Sequence, residues 1–248
     1  MKHTLFLLLL LSCFSHLFAA PVNYPEIFGQ DFMKALNISI EIKAQVVKLS
    51  KEMKADPELV LPAAFPELIR YSLFRDSMEL FTLEVFYVNF GSGVNDFSVG
   101  IFQMKPSFVE QMENYLNTHD ELKMYRPVFV YKFPNDPSAV RKERIERMTK
   151  IDWQIRYLVL FSKIAEQVFP KQPGQTKSEL VKFYAGVYNT GFWKTKEQIL
   201  KTMALNIFPN GMSYPGEQNN YSDIALYFFE NYWQKFLKDD SIKSFPLR

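Results

Sequence analysis

Apolar positions along this chain recur mostly at helical spacing. Between about 38 and 54, Ile38, Ile42, Val46, Leu49 and Met53 form an i, i+4, i+8 stripe separated by charged residues, as in a helix with one buried face. Asp56-Pro57-Glu58 reads as an N-cap, a first-turn proline and an acidic first turn, so a helix is predicted to about Ser72. Pro62 and Pro66 fall inside it, which implies a kink or two short helices. Asp76-Ser77-Met78-Glu79 opens a further helix, to about 90, closed by Gly91-Ser92-Gly93. Later helices are predicted over about 107–117, 138–168, 178–188 and 221–237. Residues 120–137 mix charged residues, three prolines and Val128-Phe129-Val130-Tyr131, and read as irregular with one short strand. Residues 206–220 read as loop.

Composition supports the helical reading. The 248 residues hold only 9 glycines against 24 Phe and 13 Tyr. Neither a Gly/Ser linker nor a repeat period divides the chain, so residues 21–248 are expected to form a single, mainly α domain. The start is different. Met1-Lys2-His3, an apolar run from Leu5 to Leu11 and Phe18-Ala19-Ala20-Pro21 describe an export leader over 1–20. Leu10-Leu11-Ser12-Cys13 also allows a lipoprotein signal, with Cys13 as a lipid anchor and the only tie to a membrane. The expected location is therefore the periplasm or cell envelope.

Removing the leader changes the chemistry available. His3, His16 and Cys13 leave with it, so the mature chain keeps His119 and no cysteine. That excludes a disulfide framework, a cysteine nucleophile and Cys/His zinc clusters. No metal and no cofactor are expected. His119 lies in a polar segment and is expected to be exposed. Charge is nearly balanced, at 28 basic to 27 acidic groups once Lys2 is gone, which argues against a nucleic-acid partner. Carboxylates, hydroxyls, amides and aromatic rings remain to do the work.

Three short segments stand in order: Ala63-Ala64-Phe65-Pro66-Glu67-Leu68-Ile69-Arg70-Tyr71-Ser72, then Phe97-Ser98-Val99-Gly100-Ile101-Phe102-Gln103-Met104-Lys105-Pro106, then Phe183-Tyr184-Ala185-Gly186-Val187-Tyr188-Asn189-Thr190-Gly191. Together they resemble the lytic transglycosylase branch of the lysozyme-like superfamily. That family carries a glutamate on an apolar helix, a Gly-Leu-Met-Gln segment before proline, and an Ala-Tyr-Asn-Ala-Gly segment. Asp152-Trp153-Gln154-Ile155-Arg156-Tyr157-Leu158 is similar to the helix between the last two. The likeness covers about 58–193 and implies a lysozyme-like helical domain with extra N- and C-terminal helices. Two departures stand out: Leu68 follows Glu67 where the family has serine, and the predicted 76–90 helix is inserted before Gly100.

By this resemblance the substrate would be the glycan strand of peptidoglycan, between N-acetylmuramic acid and N-acetylglucosamine. Glu67 would be acid and then base. Gly100, Phe102, Gln103, Tyr188, Asn189 and Trp193 would bind the sugar, and Asp96 is the candidate second carboxylate. Each residue also has a structural reading. Pro66-Glu67 could be a plain helix start, Glu79 a capping-box residue and Glu84 a solvated helix face. Gly100 and Gly191 could be turn glycines, and Tyr188 and Asn189 a core tyrosine and a helix terminus. Trp153 and Trp233 suit helical apolar faces. Two rivals to an enzyme stay open: a module of the same fold that binds peptidoglycan without cutting it, and a helical envelope interaction protein.

Overall fold

The computed structural model describes residues 22–74, 86–93, 96–211 and 216–247. The leader, Cys13, Glu79, Glu84 and most of the expected 76–90 helix lie outside them. Helices dominate: α1 (Tyr24–Glu52), α2 (Pro57–Phe74), α3 (Pro106–Thr118), α4 (Pro137–Thr149), α5 (Ile151–Val168), α6 (Lys177–Thr190), α7 (Lys196–Met203), α8 (Tyr221–Phe228) and α9 (Gln234–Lys238). A 3-10 helix spans Asp120–Phe129, and a π-helical turn at Phe229–Trp233 joins α8 to α9. Residues 86–90 are helical and stop at Gly91, whose N–H donates to the Tyr87 carbonyl at 2.7 Å.

At the centre is α2. Val60, Leu61, Ala63, Ala64, Phe65, Leu68 and Ile69 are all buried, so this helix is apolar nearly all round and must be covered on every side. Helices α1, α6 and α8 cover it. Phe65 stacks on Phe228 at 3.7 Å between ring centroids, with the Phe32 edge at 5.4 Å. That enclosure explains how α2 stays one helix through Pro62 and Pro66. Packing offsets the missing backbone hydrogen bonds that would break an exposed helix. Asp56 accepts from the Glu58 N–H at 3.0 Å and starts it as expected.

The predicted α1 stripe is the buried stripe, with Ile42, Val46, Leu49 and Met53 inside. The helix begins far earlier than 38, at Tyr24, and bends at Gly29. Three other expectations are corrected. The 138–168 helix is two, because Lys150 is extended between α4 and α5. Val128–Tyr131 forms no strand: Arg147 takes the Phe129 and Val130 carbonyls at 3.1 and 2.6 Å, which removes the acceptors a ladder would use. Finally, 206–220 is not all loop, since β1 (Asn206–Phe208) pairs antiparallel with β2 (Asn219–Asn220).

A buried polar cluster joins α3, α4 and α5. Glu113 accepts from Arg144 Nε and Nη2 at 2.9 and 2.7 Å, from Tyr157 Oη at 2.7 Å, and from Tyr131 Oη. Arg144 also donates to Tyr87 Oη at 2.5 Å and Glu110 Oε1 at 3.1 Å. Glu113, Arg144, Tyr87 and Tyr157 are buried against one another, so loss of one partner is costly. Arg144→Met should destabilise the fold by about 3–5 kcal/mol, read as a lower urea midpoint at unchanged slope. Adding Glu113→Leu should recover much of the loss, because no uncompensated buried charge then remains.

Candidate functional site

The C-terminal half of α2, the segment 96–108 and the end of α6 enclose a cleft of about 390 Å³. Glu67, Asp96, Gln103, Tyr188, Asn189 and Trp193 line it, together with Arg70, Ser98, Lys105 and Thr190. Six residues singled out from separate stretches of sequence thus meet at one surface. Gly100 and Phe102 do not join them.

Glu67 projects from α2 and is 4 % exposed. A carboxylate so buried needs a partner, and Arg70 lies one turn away. Arg70 Nη1 donates to both Glu67 oxygens, at 2.7 and 2.5 Å. The same guanidinium donates through Nε to the Pro209 carbonyl at 2.8 Å and covers the Phe208 ring at 5.0 Å. Tyr221, at the start of α8, sits beside the Glu67 carboxyl, and its hydroxyl donates to the Ala63 carbonyl at 3.4 Å. Burial pushes this carboxyl above its ordinary value, opposed by the Arg70 charge, the Arg70 hydrogen bonds and the neighbouring Tyr221 hydroxyl.

Opposite Glu67 is a tight turn. Val99 and Met104 exchange backbone hydrogen bonds at 2.8 and 3.2 Å, and Gly100 to Gln103 fill the loop between them. Both Gly100 (φ +72°) and Gln103 (φ +49°) are left-handed. Gln103 Nε2 donates to the Gly100 carbonyl at 2.8 Å, leaving its amide oxygen for a ligand. The Phe102 peptide is held on both sides. Tyr188 Oη donates to its carbonyl at 2.9 Å, and its N–H faces Gln154 Oε1 at 3.5 Å. The Phe102 side chain is fully buried and has no surface to offer a sugar. Gly100 admits the Gln154 side chain rather than a ligand, because a Cβ there would collide with that amide. Tyr188 forms part of the cleft wall, but its hydroxyl secures the turn rather than Glu67.

The far wall is aromatic. Trp193 is 46 % exposed and packs on Phe108 and Phe192 at 5.7 and 5.2 Å between centroids. Gly191 ends α6 at φ +107°, and a Cβ on it would lie 2.8 Å from the indole. Glycine is therefore what lets the indole fold back over the helix end. Trp233 is buried and Trp153 half-buried, as their helical spacing implied.

Asp96 has a structural task. Its two oxygens accept from the Ser107 N–H at 3.0 Å and Ser107 Oγ at 2.8 Å, which caps the first turn of α3 from a distance. This leaves it poorly placed to act as a second catalytic carboxylate. His119 is half-buried rather than exposed, with its ring stacked on Tyr115 at 3.6 Å, and it does not line the cleft. Among the described residues, no group of three or more His, Cys, Asp or Glu could hold a metal ion. No helix among them is long and apolar enough to cross a membrane.

Sequence reading passed over Arg70, Lys105, Gln154 and Tyr221. Arg70 was within reach, since a buried glutamate on an apolar helix calls for a cation three or four residues away. Tyr221 carried no local signal, being separated from Glu67 by most of the chain. No protein-family model, curated protein or solved structure matches this chain.

The Gly100 turn can be tested directly. Gly100→Ala should cost about 2–4 kcal/mol, from left-handed strain plus overpacking against Gln154. Thermal unfolding measures it. In a Gln154→Ala background the same substitution should cost less, because only the backbone strain remains.

Proposed function

We propose that this chain is an exported peptidoglycan-cleaving enzyme of lytic transglycosylase type, built on a lysozyme-like helical domain. One observation carries the reading. A single buried carboxylate, Glu67, shares a 390 Å³ cleft with Gln103, Tyr188, Asn189 and an exposed indole. The volume falls in the ordinary range for ligand sites, and exposed rings suit the apolar faces of pyranoses.

In this mechanism the protonated Glu67 donates its proton to the glycosidic oxygen, and the leaving sugar departs as an alcohol. The acetamido oxygen of the muramic residue stabilises the anomeric carbon. Glu67, now a carboxylate, takes the proton of the muramic 6-hydroxyl, whose oxygen closes on that carbon. The product is a 1,6-anhydro sugar, and Glu67 ends protonated again. One carboxyl serves both steps, so Asp96 can remain at Ser107. Most glycosidases need a second carboxylate, as base or nucleophile.

A second reading has its own support. Arg70 occupies both Glu67 oxygens in the resting cleft, which would suit a module that holds glycan without cutting it. Incubating the mature chain with peptidoglycan separates the two. Soluble anhydro-ended fragments, seen by mass spectrometry, support the enzyme. Cosedimentation without products supports the binding module, and the absence of both products and cosedimentation would remove any glycan role.

Glu67→Gln should lower the cleavage rate by about 10²–10⁴-fold, the usual worth of a general acid. The pH profile should fall on its alkaline side as Glu67 loses its proton. Because Arg70 lowers the Glu67 pKa, Arg70→Met should move that limb to higher pH, by about 1–3 units. Stability should follow the same proton. The folded carboxyl is raised above its ordinary 4.5, so its contribution is full below that value and is lost as pH rises through the folded one.

A further inference from the structure

One cation of the cleft is largely exposed and only loosely paired among the described residues. Lys105 lines it with its side chain 55 % exposed. Its ion-pair partner among the described residues is Asp96, at 3.9 Å, whose oxygens also accept from Ser107. Arg70, the other cation of the cleft, is held by Glu67 and the Pro209 carbonyl. Among the described residues of the cleft, Lys105 is thus the more accessible cation for a ligand. It immediately precedes α3, three residues before Phe108, on which Trp193 rests. Lys105 and Trp193 both line the cleft, which puts the ammonium and the exposed indole within reach of one ligand.

A neutral ring stacked on Trp193 would leave the Lys105 charge unused.

We propose that this cleft binds a pyranose ring bearing a carboxylate, with the ring on Trp193 and the carboxylate on Lys105. The proposal rests on the glycan reading above and adds its charge. The lactyl ether of muramic acid offers such a carboxylate only when it is not tied up in a peptide amide. The preferred strand would then be one that an amide-hydrolysing reaction has already stripped of its peptide.

The test is a tryptophan-fluorescence titration of the full mature protein. Three probes are compared: a GlcNAc–MurNAc tetrasaccharide with free lactyl carboxylates, the same sugar with those carboxylates amidated, and chitotetraose. The acid form should bind roughly two- to five-fold tighter than its amide, the worth of an exposed ion pair. The advantage should vanish at about 1 M salt and in Lys105→Gln. Trp193→Ala should weaken all three. Equal binding of acid and amide, or an advantage that survives Lys105→Gln, overturns the proposal and leaves the glycan reading intact. Failure of all three sugars to bind overturns both.

Discussion

The buried Glu67 carboxyl is the constraint around which the cleft is arranged. An ionisable group at that depth is tolerated only with a close partner, and Arg70 supplies it from the same helix. Arg70 then has needs of its own. Its remaining face is met by the Pro209 carbonyl and the Phe208 ring, which fixes β1 and the following turn against α2. Tyr221 completes the shell from α8. One acidic side chain thereby dictates the positions of three elements from the C-terminal quarter of the chain.

The opposite side follows a different logic. There the backbone itself is shaped, by a left-handed turn whose central peptide is gripped by Tyr188 on one side and Gln154 on the other. Tyr188 and Gln154 belong to α6 and α5, so the turn inherits the rigidity of two packed helices. Beneath it Asp96 caps α3, and beyond it the Glu113–Arg144 cluster locks α3 to α4 and α5. In that cluster the buried Glu113, Arg144 and Tyr157 answer one another's polar groups.

Much of this was legible in sequence, for local reasons. Stripes at helical spacing located α1, α3 and α6, and short apolar motifs located the turn and the end of α6. Motif order placed Glu67, Gln103, Asn189 and Trp193 in one cleft. What escaped was long-range. The strand expected at Val128–Tyr131 has the right residues, but Arg147 claims its carbonyls from α4. The break at Lys150 has no proline or glycine to announce it. Phe102 read as a cleft ring because its neighbours are cleft residues; only the packed core shows that its side chain turns inward. Tyr221 has no motif and reaches Glu67 through the fold alone.

The anchoring of Arg70 by Pro209 bears on how far the molecule can be divided. The family-like stretch, about 58–193, looks self-sufficient when judged by its motifs. Yet the carbonyl that steadies Arg70 and the hydroxyl beside Glu67 both come from beyond it, at Pro209 and Tyr221. A fragment cut to the motif boundaries would keep the acidic side chain and lose what holds it in place. The C-terminal region is therefore no appendage to a minimal core, and a boundary drawn by resemblance would pass through the middle of the working unit.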